Sequence, residues 1–485
     1  MIENRLRGKR AAVALAGLAG LSNLVYWTAY SRPFSLFKYY NHPLFDLRRY
    51  SSSAPEARWL LLGVFVIQIG LYAVSWRLAR RLRGRTAWEI VIASSLVSAL
   101  ILIFMFPIGA ADLFDYIVHG RILGVYGANP FLSSGNQFAN DPFYPYMGWR
   151  DWPSVYGPLW AFIGGTAARL AGDGVVANVL VFKLFIGAFF FASILVVADT
   201  LRRVAPDYAL AGAVLLAWNP ILLYETFGNG HNDIVMVFWI LLAIWFITQR
   251  RFTMAILALI AGGLIKYAPL FLLPVAGLLA LRDLSGMRAR LTFLIVTGLS
   301  TAALVVLSYA PFWEGMQTLT VLKHQNLMTT SLPAVLSAWL EPAWGAARTN
   351  TVLNWATILA TGLIVLWRSL CAWDDRSRFS FARNAFWILM GYLLFTCPWF
   401  QEWYTIWPIA IAAMIPSTPI VLLALVLNIG GLTKNFVFGP LWLWGIPLPA
   451  KEWIELRLGP AVMALPWLAL IIYWLATRWR IRTAE

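Results

Sequence analysis

The stretch of sequence that decides the fold is residues 88–121, WEIVIASSLVSALILIFMFPIGAADLFDYIVHGR, where a long apolar run ends in acidic and aromatic residues. A helix needs roughly 20 apolar residues to cross a bilayer, and this run supplies them. Helices cross lipid readily because they satisfy their own backbone hydrogen bonds. Residues 88–108 are therefore predicted to form a membrane-spanning helix that emerges into water just before Asp112.

The rest of the chain has the same character. Of its 485 residues, 60% are hydrophobic and 12% are charged, and the mean hydropathy is +0.69. No soluble domain needs so much apolar surface, so the prediction is an all-α, polytopic transmembrane helical bundle that forms one integral membrane domain over residues 1–485. The predicted spans lie near residues 11–29, 59–77, 88–108, 176–199, 208–224, 233–248, 254–281, 291–312, 351–368, 384–399, 403–415, 418–433 and 460–477.

Basic residues give the orientation. The formal net charge is +16, but the arginines gather in short links between apolar segments, which indicates topology signals and not a nucleic-acid partner. Residues 77–85 carry five arginines and are predicted to be cytoplasmic. One orientation fits the other basic links if residues 155–171 lie in the outer interface and residues 254–281 cross twice, broken around Lys266 and Pro269. About 12 to 14 spans result.

This orientation places several polar segments on the outer face. The largest is an outward loop at residues 109–172 that carries interfacial helices, and a second large loop is predicted at residues 313–350. Two short turns, 225–232 and 398–403, lie on the same side. We therefore expect a multi-pass protein of the cell (plasma) membrane with its active site on the extracytoplasmic side.

Two acids open the first loop. Asp112 and Asp115 are three residues apart and share one face of a helix. A carboxylate at a membrane edge can keep a raised basicity and remove a proton from an incoming hydroxyl. Taken alone, Asp112 is explained equally well as a solvated helix cap. The aromatic residues that follow, such as Tyr156, can stack on a sugar ring, although anchoring at headgroup level is the commoner use.

A second polar constellation follows the glycines of the turn at residues 228–233. Ionisable residues at a membrane edge indicate function by default, although Asp233 also suits a helix cap. His231 and Asp233 could ligate a divalent cation, but no further ligand stands at a diagnostic spacing, so no metal site is predicted and a divalent cation is left open. Lys266 and Lys323 offer cations for a lipid phosphate, and Lys266 could instead snorkel to the interface.

Taken in their order along the chain, these motifs resemble those of the GT-C superfamily of polytopic glycosyltransferases, which use polyprenyl-phosphate sugars. The segments Asp112-Leu-Phe-Asp115-Tyr116, Gly120-Arg121, Asn129-Pro130-Phe131 and Tyr156-Gly157-Pro158-Leu-Trp160 look like the first outward loop of polyprenol-phosphomannose-dependent alpha-mannosyltransferases. The same family has a turn similar to residues 228–233, a Lys-Pro helix similar to residues 266–269, and a Pro-Trp-Tyr turn similar to residues 398–404.

The resemblance implies a reaction and a set of residues. It implies transfer of a hexose, with mannose expected, from a polyprenyl-phosphate donor to a lipid-linked glycan or other acceptor on the outer face, by inverting single displacement. Asp112 is favoured as the base, and Asp115, where relatives often have a small polar residue, is left as a second acid, a metal ligand or an orienting group. The substrate-binding candidates are Tyr116, Arg121, Tyr156, Asn229, His231, Asn232, Asp233, Lys266, Lys323, Glu402 and Trp403.

The family reading leaves open which cation binds the phosphate, and it has one competitor. Lys266, Lys323, Arg121 and His231 are the cations available to a leaving phosphate. The competing interpretation is a secondary transporter or a lipid or polyprenyl flippase, in which the same buried ions and broken helix would form a translocation path. The long aromatic loop and the lack of an internal repeat favour an enzyme over a carrier.

Overall fold

The computed structural model describes residues 2–45, 56–319 and 328–433, together with a few residues between 465 and 475. Most of this part of the chain is helical, and its only β-type pairings are two isolated bridges, Ser35 with Met105 and Thr329 with Trp399. The prediction of an all-α membrane protein is therefore confirmed.

The α-helices are numbered in chain order. They are α1 (Ile2–Val25), α2 (Leu36–Tyr39), α3 (Glu56–Ala79), α4 (Arg85–Ile103), α5 (Asp112–Gly124), α6 (Pro158–Ala171), α7 (Val175–Val204), α8 (Ala209–Ala217), α9 (Pro220–Leu223), α10 (Asp233–Thr248), α11 (Phe252–Gly263), α12 (Leu273–Asp283), α13 (Met287–Tyr309), α14 (Leu332–Trp344), α15 (Ala346–Asp374), α16 (Ser380–Gly391), α17 (Ile406–Ala412) and α18 (Thr418–Thr433). Short π or 3-10 turns that matter for the site lie at Tyr224–Asn229, Ala268–Leu272, Tyr392–Thr396 and Glu402–Thr405.

Five unbroken helices in the described residues are long and apolar enough to cross a membrane, and one bent pair raises the number to six. The five are Lys9–Ser31, Arg85–Ile103, Val175–Val204, Met287–Phe312 and Ala346–Asp374. Most of the other predicted spans are present as shorter or broken helices, so the number of crossings stays a prediction. The predicted span 460–477 falls largely outside the described residues.

The breaks are where proline and polar residues stand. The bent pair, Pro206–Ala217 with Pro220–Asn229, turns by 47° at Asn219, whose side chain accepts hydrogen bonds from the first backbone N–H groups of α9. The segment 254–281 is interrupted between α11 and α12, as predicted around Lys266 and Pro269. Proline lacks a donor and disrupts the helical ladder, and such breaks persist in membrane proteins where they line a cavity.

The predicted second outward loop contains helices that the sequence did not indicate. Residues 313–350 include all of α14 and the beginning of α15, so much of the segment is helical. Ser331 explains the start of α14, because its hydroxyl accepts a hydrogen bond from Ala334 N at 3.2 Å and so caps the helix. The polar and proline residues that suggested a loop are thus partly helix-capping residues.

The first outward loop is held by a close pair of short helices. Helix α6 has 14 residues and measures about 21 Å, less than the roughly 30 Å of a bilayer core, which agrees with its predicted interfacial position. A Cβ atom at Gly120 of α5 would collide with the carbonyl oxygen of Gly164 in α6, and one at Gly124 would collide with that of Gly165. The two backbones therefore touch, and this contact fixes α5, which carries both acids.

We expect Gly120→Ala to lower the free energy of unfolding by about 1–3 kcal/mol, because the added methyl group meets backbone that cannot move aside. Thermal unfolding in detergent micelles measures the change. Gly298→Ala is the matched control, since this helical glycine in α13 has no atom within 4 Å of the added carbon. Equal melting temperatures for the two variants would contradict the close contact between α5 and α6.

Candidate active site

Polar side chains from five separate segments converge at one end of the helices. They come from the start of α5, the π-turn at Tyr224–Asn229, the start of α10, the break between α11 and α12, and the turn that precedes α17. All five segments are irregular or are helix ends, where backbone groups and side chains can approach a substrate closely. This cluster is the candidate active site.

Asp112 is the first residue of α5 and the acid with the best access. Its side chain is 17% exposed, and its Oδ2 lies 3.7 Å from Nε2 of His231. Burial raises the pKa of Asp112, while the charges of His231 and Lys266 act in the opposite direction. A half-buried carboxylate of raised basicity that still meets solvent suits proton abstraction from a hydroxyl.

Asp115 lies one turn further and has a different environment. Its Oδ1 accepts backbone hydrogen bonds from Gly148 and Trp149, both at 3.0 Å. Burial raises its pKa well above the usual range, the charge of Asp112 adds to this, and the two backbone donors oppose it. Asp115 therefore folds the loop at residues 148–149 over the beginning of α5, and this arrangement favours an orienting role.

The π-turn brings a buried carboxylate to His231. Oε2 of Glu225 lies 2.8 Å from Nδ1 of His231 and accepts a second hydrogen bond from the side chain of Asn229, also at 2.8 Å. Oδ1 of Asn229 accepts a hydrogen bond from the backbone N–H of Gly109 at 3.0 Å. The imidazole ring stacks on Trp403 with 3.9 Å between centroids. His231 is thus held by Glu225 at one ring nitrogen and by Trp403 against one ring face.

An ion pair forms the opposite wall. Nζ of Lys266 lies 2.7 Å from Oδ2 of Asp233, and Oδ1 of the same carboxylate accepts the indole N–H of Trp407 at 2.7 Å. The ammonium group also lies over the rings of Tyr156 and Tyr404, at 5.3 and 5.4 Å. Both oxygens of Asp233 are therefore engaged, and its role is to hold a cation that remains 12% exposed.

Tyrosines connect the two walls. The hydroxyl groups of Tyr116 and Tyr156 lie 3.2 Å apart, and that of Tyr116 donates to Oδ1 of Asn232 at 3.4 Å. Nδ2 of Asn232 is buried and has no hydrogen-bond partner among the described residues. Such an orphaned donor suits a substrate oxygen.

The structure thus brings together most of the residues singled out from the sequence. Glu402 belongs to the cluster as well, since it is buried and its charge acts on both Asp112 and Glu225. The members are Asp112, Tyr116, Tyr156, Asn229, His231, Asn232, Asp233, Lys266, Glu402 and Trp403. Lys323 lies outside the described residues.

Arg121 is engaged elsewhere. Its guanidinium donates to Asp141 and to Asp173, each at 2.7 Å, and to the carbonyl oxygen of Gly172 at 2.9 Å. The side chain is 3% exposed. These bonds tie α5 to the loop and to the end of α6, so the structure corrects the expectation that Arg121 is available to a substrate phosphate.

Sequence reasoning missed several groups that complete the cluster. Glu225 stands at the end of an apolar run, which was a usable signal for an ionisable residue near the membrane. Tyr404 belongs to the Pro-Trp-Tyr turn noted in the sequence but was not chosen as a site residue, and Trp407 carried no signal beyond its aromatic type. Lys183 of α7 is fully buried, and its Nζ donates to the carbonyl oxygen of Met105 at 2.5 Å. It caps the end of α4 and so supports the chain that leads into α5.

Metal ligation finds little support in the geometry. Within the described ranges, no group of three or more His, Cys, Asp or Glu side chains is arranged to hold a metal ion. His231 and Asp233, the pair considered from the sequence, face Glu225 and Lys266 instead.

Comparison with known proteins gives a family. The model described as Alpha-(1->6)-mannopyranosyltransferase, N-terminal domain, matches residues 35–282. A Corynebacterium glutamicum protein named Alpha-(1->6)-mannopyranosyltransferase A is 24% identical over 197 residues, which cover 39% of this chain and 38% of that protein. A Mycobacterium tuberculosis protein of the same name is 24% identical over 378 residues, which cover 71% of this chain and 69% of that protein. The matched range contains the cluster from Asp112 to Lys266.

Proposed function

The chain belongs to the alpha-(1->6)-mannopyranosyltransferase family, and on this premise we propose that it transfers mannose from a polyprenyl-phosphate donor to a hydroxyl group of a glycolipid acceptor. The family confirms the expected kind of protein and favours the enzyme over the transporter or flippase. The observation that carries the proposal is that one polar cluster, called the cleft from here on, holds both a partly exposed carboxylate, Asp112, and an anchored ammonium group, Lys266, whose charge acts on that carboxylate.

The proposed reaction is a single displacement. Asp112 accepts the proton of the acceptor hydroxyl as that oxygen bonds to the anomeric carbon of mannose, and the bond from this carbon to the phosphate oxygen breaks. The phosphodiester leaves as a phosphomonoester that carries one more negative charge. Lys266 stabilises this growing charge, and inversion converts a beta-linked donor into an alpha-linked product.

The position of the cleft supports a lipid-linked donor. Asp112 follows the end of α4, a candidate membrane span, by only a few residues, and Lys266 lies at the break of another apolar segment. A polyprenyl chain can therefore stay in the bilayer while its phosphate enters the cleft. The positions of the basic links support an extracytoplasmic location for this end of the helices, and we propose that the reaction occurs there, at the plasma membrane.

A donor comparison tests the proposal. Purified protein in liposomes receives either radiolabelled polyprenyl-phosphomannose or radiolabelled GDP-mannose, with a mannose-bearing glycolipid as acceptor, and empty liposomes serve as the blank. We expect label in the glycolipid only with the lipid-linked donor. Label transferred only from GDP-mannose would contradict the donor assignment. Movement of intact polyprenyl-phosphomannose between leaflets without product would favour the flippase.

We expect Lys266→Gln to lower kcat/KM for the donor by about 10- to 100-fold, because one charge-assisted contact to phosphate is removed. Initial rates over a range of donor concentrations measure the change. Lys38→Gln is the control for loss of the same charge. Lys38 lies in α2, and its ammonium group is over the ring of Tyr39, which is not part of the cluster. Equal rates for the two variants would exclude Lys266 from donor recognition.

A further inference from the structure

The cleft holds more acids than available cations. Asp112, Asp233, Glu225 and Glu402 lie in or beside it, and the one described ammonium group, that of Lys266, is already paired with Asp233. A half-buried carboxylate among other acids tends to bind a proton, which would remove its ability to act as a base. Some further positive charge must keep Asp112 ionised if it accepts the proton of the acceptor.

His231 has the geometry for this task. Oε2 of Glu225 accepts a hydrogen bond from the side chain of Asn229, so the Nδ1 atom of His231, 2.8 Å from the same oxygen, is the donor in their contact. Nε2 therefore points away from Glu225. It is buried, lacks a hydrogen-bond partner among the described residues, and lies 3.7 Å from Oδ2 of Asp112.

We propose that Glu225 holds His231 as an imidazolium, and that this imidazolium keeps Asp112 in the carboxylate form that accepts the proton. The inference rests on the proposed function and adds a positioning pair to it. Glu225 is fully buried and reaches Asp112 through the ring of His231, which contacts both carboxylates. Stacking on Trp403 prevents the ring from rotating away from either carboxylate.

The surroundings of His231 support the charge. Burial alone lowers its pKa, but the hydrogen bond and charge of Glu225, followed by the charges of Asp112 and Asp233, outweigh burial and raise the pKa above the usual range. Lys266 faces this group only through Asp233, and Trp403 contributes no charge. The charges that act most strongly on the imidazole are thus those of three acids, Glu225, Asp112 and Asp233.

The pH dependence of transfer distinguishes this role from simple packing. Activity requires ionised Asp112, so kcat/KM falls as the pH drops through the pKa of that residue. Removal of a neighbouring positive charge raises this pKa, and we expect His231→Gln to move the acidic limb of the profile upward by at least about one pH unit. Glu225→Gln moves it in the same direction, because the imidazole then loses its proton more easily.

His119→Gln is the matched control. His119 is also a buried histidine of the first outward loop, but its Nε2 contacts the carbonyl oxygen of Trp152 and it touches no acid of the cleft. We expect the acidic limb of the kcat/KM profile of His119→Gln to coincide with that of the wild type. If His231→Gln and Glu225→Gln lower the rate uniformly at every pH, the pair has only a packing role and the proposal is overturned.

A second measurement does not depend on transfer activity. The chain has four histidines, so comparison of the ¹⁵N spectra of histidine-labelled wild type, His231→Gln and His119→Gln in nanodiscs identifies the signal of His231. We expect His231 to be an imidazolium at neutral pH in the wild type and neutral in Glu225→Gln. A neutral His231 in the wild type would overturn the inference even if mannose transfer were demonstrated. Failure of transfer with an imidazolium present would instead count against the proposed function.

Discussion

Asp112→Asn is expected to reduce kcat by about 10³-fold, within the range that general-base catalysis contributes. The amide has nearly the size of the carboxylate but cannot accept the proton of the acceptor hydroxyl. The side chain is 17% exposed and lies 3.7 Å from His231, and His231 keeps Glu225 as its partner, so the substitution leaves no buried charge without a counter-charge. Single-turnover transfer from polyprenyl-phosphomannose measures the loss.

Asp151→Asn is the control for this variant. Asp151 lies in the same outward loop, is exposed, and accepts a hydrogen bond from the side chain of Asn136 at 2.5 Å. We expect it to keep full activity. Undiminished transfer by Asp112→Asn would contradict its role as base and would direct the search to Glu402, since Asp233 uses both oxygens and Asp115 is buried with one oxygen held by two backbone donors.

Arg121→Leu should lower the free energy of unfolding by about 3–5 kcal/mol, because it leaves the buried carboxylate of Asp141 without its counter-charge. Asp141 is fully buried, and its Oδ2 also accepts the hydroxyl of Tyr126 at 2.7 Å. The pair with Asp173 contributes less, since that carboxylate is largely exposed. Thermal unfolding in detergent micelles measures the effect.

Arg169→Leu provides the comparison, because it removes the same charge from an exposed position on α6, where we expect a change within about 0.5 kcal/mol. The double variant Arg121→Leu/Asp141→Leu should recover part of the stability, since neither charge then remains buried. A stable Arg121→Leu protein with a raised KM for the donor would contradict the structural role and restore the phosphate contact expected from sequence.

The sequence predicts the helices of this protein better than their interruptions. Apolar runs such as 176–199 give the span and the approximate ends of α7, because in lipid the hydrophobic pattern alone requires a helix. Proline and lysine correctly indicated the break near Lys266. The helical content of residues 313–350 was missed, because Pro333 and Ser331 serve helix starts as readily as loops.

The candidate site was predictable where a polar residue interrupts an apolar context. Asp112, His231 and Lys266 stand out for this reason, and the structure brings them together. Pairing between distant segments was not predictable. Arg121 finds its partners 20 and 52 residues away, and Glu225 reaches His231 only because a π-turn follows the start of the bent helix. A single sequence identifies the chemical type of such side chains but not the partners with which they form ion pairs and hydrogen bonds.

The most direct test of the account is the stereochemistry of one transfer. Purified protein in nanodiscs receives beta-linked polyprenyl-phosphomannose labelled with ¹³C at the anomeric carbon, together with a mannose-bearing glycolipid, and NMR follows the label. We expect an alpha-linked mannoside in the acceptor and an equal amount of released polyprenyl phosphate. A beta-linked product, or a donor left intact while the protein is folded, would contradict inverting transfer from a lipid-linked sugar.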